Sequence, residues 1–203
     1  MQTQSPQSRN RRPMIAGDTY RNRVVKGKVG EEEVAEILRT HFDLTVEDVD
    51  ERRDKVEKID RVVISRSGKA RTLQIKYRET GKDILVDVYE PFYGIADMRT
   101  TPGRDFVGTC DLYACRVGPT VHLIHGSVLR VVILQTMNEW IKRGTPLLDT
   151  FLSVPAKHLC YNVGKITIHK QEDHSNSRPK LLMFIPSEVI PEDHIWTKQI
   201  AIQ

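Results

Sequence analysis

Residues 59–65 and 70–77 are two alternating segments rich in β-branched side chains, and they flank the tripeptide Arg66-Ser67-Gly68. Such a pattern predicts a β-hairpin, with Gly68 at the loop position that needs a positive φ. A three-residue loop sets Ser65 opposite Lys69 and, counting back, Asp60 opposite Gln74. Directly opposed residues point to the same face of a sheet, and Lys76 joins that face two residues beyond Gln74. The sequence therefore predicts that Asp60, Gln74 and Lys76 converge. A slip of one residue would separate them, so the expectation depends on the register.

Upstream, Val34, Ile37, Leu38 and Phe42 recur at helical spacing and predict an amphipathic helix over residues 29–42. Glu31 falls on the inward edge of that stripe. Glu32 points away with Glu36 and Arg39, and Glu33 lies on a flank. Residues 43–58 are charge-rich and read as a connection with a short strand around 44–46. Residues 83–88 read as a third strand, 91–108 as a loop or lid, and 111–116 and 121–124 as further strands. Ser127 is placed to cap a helix ending near residue 144, with Trp140 and Ile141 on its buried side, although 131–134 also fits a strand. Segments 165–169 and 181–185 flank a polar stretch, 171–178, with the composition of a mobile hairpin loop. With no internal repeat and no domain break, residues 17–203 read as one α/β domain. Its motif-bearing core covers about 24–90, with a C-terminal elaboration over about 110–203.

The 203 residues, 39% of them hydrophobic, suffice for a sizeable core. No run approaches the roughly 20 apolar residues of a membrane span, and the first residues lack the apolar centre of a secretory signal. Cys110, Cys115 and Cys160 cannot form a disulfide framework, which favours a reducing, intracellular setting, cytoplasmic or nuclear. Together with His158 their spacing matches no structural zinc pattern, and buried small hydrophobes explain them better. Charge is unevenly spread. Residues 1–28 hold seven Arg or Lys against one Asp, a local +6, and the net +4 leaves −2 for the rest. Residues 1–16, polar with two prolines, read as a disordered basic arm. A polyanionic partner would suit that arm, and a solvated tail without a partner is the alternative.

The residue types themselves suggest a cation site. Mg²⁺ or Mn²⁺ takes hard oxygen ligands. Asp60 offers a carboxylate, Gln74 a side-chain carbonyl, Ile75 a backbone carbonyl and Glu31 a carboxylate from the helix packed behind. Such an ion polarises a phosphate and acidifies a bound water, and Lys76 is suited to orient that water and offset charge on the phosphate. Each residue also has a bland explanation. Glu31 near a helix start interacts favourably with the helix dipole, Asp60 suits the beginning of any strand, and Gln-x-Lys is common on solvated strands.

Gly27-x-x-Gly30-Glu31 opening a helix, Asp60 beginning a strand and Gln74-x-Lys76 in the next strand resemble the PD-(D/E)XK nuclease superfamily. The arrangement is most similar to its archaeal Holliday-junction resolvase and Mrr-type restriction branches. The resemblance covers residues 24–90 and implies a restriction-endonuclease-like α/β core, a mixed sheet with flanking helices. It further implies a metal-dependent endonuclease acting on DNA, branched or structured DNA included, with Glu31, Asp60, Gln74 and Lys76 as catalytic residues. Gln74 stands where most members carry Glu or Asp, and no Pro precedes Asp60. One negative charge is lost with Gln74, so weaker cation binding is expected. Lys26, Lys28, Tyr77, Arg78, Arg99 and Arg104 flank the site and are candidate phosphate contacts, or ordinary surface. Two other readings stand beside this one: a non-catalytic nucleic-acid-binding protein on the same fold, and a protein-interaction module with a basic arm. Cutting both strands of a symmetric substrate needs two sites, which a two-fold homodimer supplies most simply, with 110–203 as the place for its surface.

Overall fold

The apolar stripe of the first helix lies within α1, Tyr20–Phe42, in a computed structural model that describes residues 20–50, 59–89, 110–143, 158–173 and 178–200. The helix starts well before Val29. Val25 and Val29 are exposed there, so residues 25–29 carry no buried stripe that periodicity could detect, and extending a formed helix still gains one backbone hydrogen bond per residue. Asp43, at φ 55°, ends it in the left-handed region.

Ten strands follow among the described residues: β1 (Thr45–Asp48), β2 (Arg61–Ile64), β3 (Ala70–Arg78), β4 (Ile84–Tyr89), β5 (Leu112–Val117), β6 (Thr120–His125), β7 (His158–Val163), β8 (Ile166–Asp173), β9 (Arg178–Ile185) and β10 (Ile195–Gln199). The second helix, α2 (Gly126–Lys142), follows β6 directly. Buried Leu129, Val132, Ile133, Thr136, Met137 and Trp140 recur along it at helical spacing, which settles 131–134 as helix. Of the polar stretch 171–178, residues 171–173 and 178 are strand, paired out to Asp173 opposite Arg178, and 174–177 lie outside the described residues. The arm at 1–16 and the loop or lid at 91–108 lie outside the described residues.

Six strands form a mixed sheet in the order β1-β2-β3-β5-β6-β10, antiparallel except for β3 beside β5. β3 is central, and Leu73, Gln74 and Ile75 are buried in succession, as expected of a strand covered on both faces. On one face α1 packs Val34, Ala35 and Leu38 against Val46, Val63, Leu73, Ile75, Leu112, Ala114 and Leu123. On the other, Tyr113, Cys115 and Ile124 meet α2 through Leu129, Ile133 and Trp140. The same apolar cluster takes in a second, four-stranded sheet, β4-β9-β8-β7, through Ile84, Val86, Ile168, Leu181 and Met183. The third strand thus leaves the motif hairpin: β5 occupies the free edge of β3, and β4 pairs with β9, Ile84 opposite Ile185. The fold is mixed α/β with a mixed sheet and two helices. No described helix is long and apolar enough to cross a membrane.

Candidate functional site

The hairpin has the register that its loop dictates. Ser65 N–H donates to Lys69 O at 3.1 Å, Gly68 takes φ 76°, and Arg61 stands opposite Leu73. Asp60 N–H donates to Leu73 O at 2.9 Å, so Asp60 and Arg61 both stand across from Leu73 and the paired register ends one residue short of the expected Asp60–Gln74 pair. At that point the chain leaves the backbone ladder. The next β3 donor, Ile75 N–H, is taken by the Asp60 carboxylate, whose Oδ2 accepts it at 2.5 Å. The first effect of Asp60 is therefore to satisfy a backbone donor at the mouth of the hairpin. A carboxylate has about four acceptor positions, so this bond does not exhaust it.

Leu73 and Ile75 face α1, so alternation turns Gln74 and Lys76 to the opposite face, towards β4. Gln74 is 4% exposed and its Oε1 has no hydrogen-bond partner among the described residues. Leaving a buried acceptor unmatched costs about 1–3 kcal/mol, which marks the oxygen as unusual. Lys76 Nζ forms an ion pair with Asp87 Oδ2 of β4 at 2.6 Å. Tyr113, next to Gln74 across the β3–β5 pair, donates its hydroxyl to Leu85 O at 2.7 Å and ties β4 to the sheet at this level. Burial holds the Tyr113 phenol well above its ordinary pKa, so it remains a donor.

Asp87 is absent from the motif that the sequence suggests. The available signal was a carboxylate inside an apolar strand, between Val86 and Val88, where Asp is disfavoured. Its partner could not be read, because β4 reaches Lys76 only through the second sheet.

Glu31 is half-buried on α1, behind β3. Its neighbour Gly30 brings helix and strand together: a β-carbon there would lie 2.3 Å from the Tyr77 ring. The adjacent glutamates are drawn to either side. Glu32 pairs with Arg39 at 2.9 Å and Arg61 at 3.3 Å, and the Arg39 hydrogen bond leads in lowering its pKa. Glu33 pairs with Arg116 of β5 at 2.5 Å. The structure thus brings Asp60, Gln74 and Lys76 to one end of the hairpin and sets Glu31 on the helix side of it.

Of the expected phosphate contacts, Lys26 and Lys28 are exposed on α1. Tyr77 lies between Gly30 and the Arg116 guanidinium, which stands 5.3 Å from the ring centre. Arg78 covers the Phe184 ring at 4.8 Å. Both are engaged in packing. Arg99 and Arg104 lie outside the described residues.

No three His, Cys, Asp or Glu side chains gather as a metal-holding group among the described residues. The set Asp60, Gln74 and Ile75 is of a different kind, with one carboxylate, one amide oxygen and one backbone carbonyl. Cys110 and Cys115 are buried, which pushes their thiols up to about 12 and about 11 and keeps them neutral. Cys160 is exposed, contrary to the expectation that all three are buried small hydrophobes; it lies on β7, in the second sheet. The chain matches no family model, no curated protein and no solved structure.

Proposed function

We propose that the chain is a Mg²⁺- or Mn²⁺-dependent endonuclease that hydrolyses DNA phosphodiester bonds on a restriction-endonuclease-like core of the PD-(D/E)XK type. The observation that carries this reading is the buried Oε1 of Gln74, unpartnered among the described residues, on the strand that also carries Lys76 and next to Ile75, whose N–H the Asp60 carboxylate accepts. A hard cation satisfies an amide oxygen as a hydrogen-bond donor would. The helix, the hairpin and its register support the same reading.

Gln74 Oε1, the Asp60 carboxylate and the Ile75 carbonyl would hold the cation, with Glu31 acting from the α1 side. When bound, the ion supplies Lewis acidity towards a phosphoryl oxygen and a more acidic water. Lys76 orients the attacking water and offsets charge that develops on the phosphate. Lys26 and Lys28, exposed along α1, bind backbone phosphates without reading bases.

A second reading, a DNA-binding protein without catalysis, is favoured by one observation: Lys76 is already paired with Asp87. Titration of cation by calorimetry, followed by incubation with duplex, single-stranded and four-way-junction DNA and with RNA, separates the two. Cleavage that disappears on chelation and in Lys76→Ala supports the enzyme. Tight, salt-sensitive binding without cleavage supports the second reading, and no binding to any nucleic acid leaves a protein-interaction module. Action on both strands would use a two-fold homodimer. A monomer mass by light scattering, unchanged by DNA, removes that dimer.

A further inference from the structure

We propose that Asp87 is the acidic residue this site has in place of a carboxylate at position 74: it positions Lys76 and supplies the negative charge that Gln74 lacks. The proposal rests on the nuclease reading above and concerns how that site holds its cation.

The charges at the hairpin mouth make the need plain. Asp60 and Lys76 cancel and Gln74 is neutral, so the three hairpin side chains sum to zero and Glu31, from the helix side, is left as the one net negative charge for a divalent cation. Asp87 makes the sum at the hairpin mouth −1, and it does so in contact with Lys76 at 2.6 Å. Its side chain is 14% exposed and that of Lys76 30%, so water screens the pair only in part. The placement is rigid. β4 is paired with β9 on one side, its Ile84, Val86 and Val88 are anchored in the core, and Tyr113 fixes it through Leu85 O. Drawn to Asp87, the ammonium group makes no hydrogen bond to Gln74 Oε1 and leaves that oxygen to a cation. Asp87 thus acts through Lys76, both by placing its ammonium group and by offsetting its charge.

Calorimetric titration of the full chain with Mn²⁺ tests this in wild type, Asp60→Asn, Asp87→Asn, Gln74→Glu and the Gln74→Glu/Asp87→Asn pair. Circular dichroism melting accompanies each variant. Asp87→Asn weakens Mn²⁺ binding by about tenfold or more, the size expected for loss of an outer-shell partner. In the Gln74→Glu background the same change costs less than roughly threefold, because the carboxylate at 74 supplies the missing charge and a second partner for Lys76. Asp87→Glu keeps the charge and retains most of the affinity, which serves where Asp87→Asn folds poorly. An ion pair with a purely structural role would lower the melting temperature and leave Mn²⁺ affinity alone; that outcome overturns the proposal, as does an equal loss in both backgrounds. Uptake that needs Asp60 but not Asp87 removes this inference and spares the nuclease reading. A wild-type chain that takes up no Mn²⁺, or takes it up independently of Asp60, removes both.

Discussion

Gly30 of α1 stands so close to Tyr77 of β3 that a β-carbon at position 30 would meet Cγ at 2.3 Å and Cβ at 2.8 Å. Gly27, one turn earlier in the same helix, has open space around it. Ala is the better helix former at both sites by about 1 kcal/mol. At position 30 the clash reverses the sign. Gly30→Ala should lower unfolding free energy by about 1–3 kcal/mol, through overpacking against a ring wedged below Arg116. Gly27→Ala should raise it by about 0.5–1 kcal/mol. Denaturant melts of the two variants check this, and equal shifts would show that the helix does not bear on Tyr77.

Gln74 should separate stability from function. Gln74→Met keeps the length of the side chain and removes the unpartnered oxygen. Its unfolding free energy should stay within about 1 kcal/mol of wild type or rise, since an unmatched acceptor is no longer buried. Cation uptake by calorimetry should fall at least tenfold if Oε1 is a ligand, by about 1.4 kcal/mol or more. A variant that loses stability yet binds cation normally would mean that this oxygen has only a packing role.

The basic arm should contribute charge alone. Deleting residues 1–13 removes Arg9, Arg11 and Arg12. Each phosphate that the shortened chain no longer neutralises should flatten the slope of log K against log salt on duplex DNA by about 0.9. Preference among DNA structures should hold, and cleavage at saturating DNA should survive. An unchanged slope would make the arm a bystander, and normal binding without cleavage would make it part of the catalytic element.

The thiols predict a loss of stability in alkali. Burial raises Cys110 to about 12 and Cys115 to about 11, above the ordinary thiol value of 9.0. A raised folded-state pKa means that the unfolded chain releases these protons first. The stabilising contribution is complete below about pH 9 and is lost as pH rises towards 11–12, at up to about 1.4 kcal/mol per pH unit for each thiol. Chemical denaturation at pH 8 and pH 10 should show the fall, reduced in Cys115→Ala. Alkylation of the native protein by iodoacetamide, followed by mass spectrometry, should modify Cys160 and spare the other two until the chain unfolds.

The parts of the fold that local rules govern were legible in the sequence. The hairpin register follows from Gly68 and a period of two, and it holds from Ser65 opposite Lys69 to Arg61 opposite Leu73, where Asp60 N–H also bonds to Leu73 O and the regular pairing ends. The inward edge of α1 follows from Val34 and Leu38. What escaped depends on distant pairing or on exposure. β4 is readable as a strand, but its partner β9 lies far along the chain, and the Asp87–Lys76 ion pair is hidden with it. β10 is an edge strand with Trp196 to Gln199 exposed, so no buried alternation marks it. The position of Gly30 against Tyr77 explains the glycine that the motif contains, a packing need that spacing alone does not reveal.

β4 has β9 as its sole strand neighbour among the described residues. During synthesis the hairpin can close as soon as residues 61–78 leave the ribosome, since its loop is short. Asp87, however, lies on a strand that has no strand partner until Ile185 emerges and β9 docks, a long-range closure that is entropically late. Until then the Lys76–Asp87 ion pair lacks the paired strand that seats Asp87. On the nuclease reading, the nascent chain carries the motif in full long before it carries a working site, which keeps a hydrolase of nucleic acid silent while it is still tethered to one.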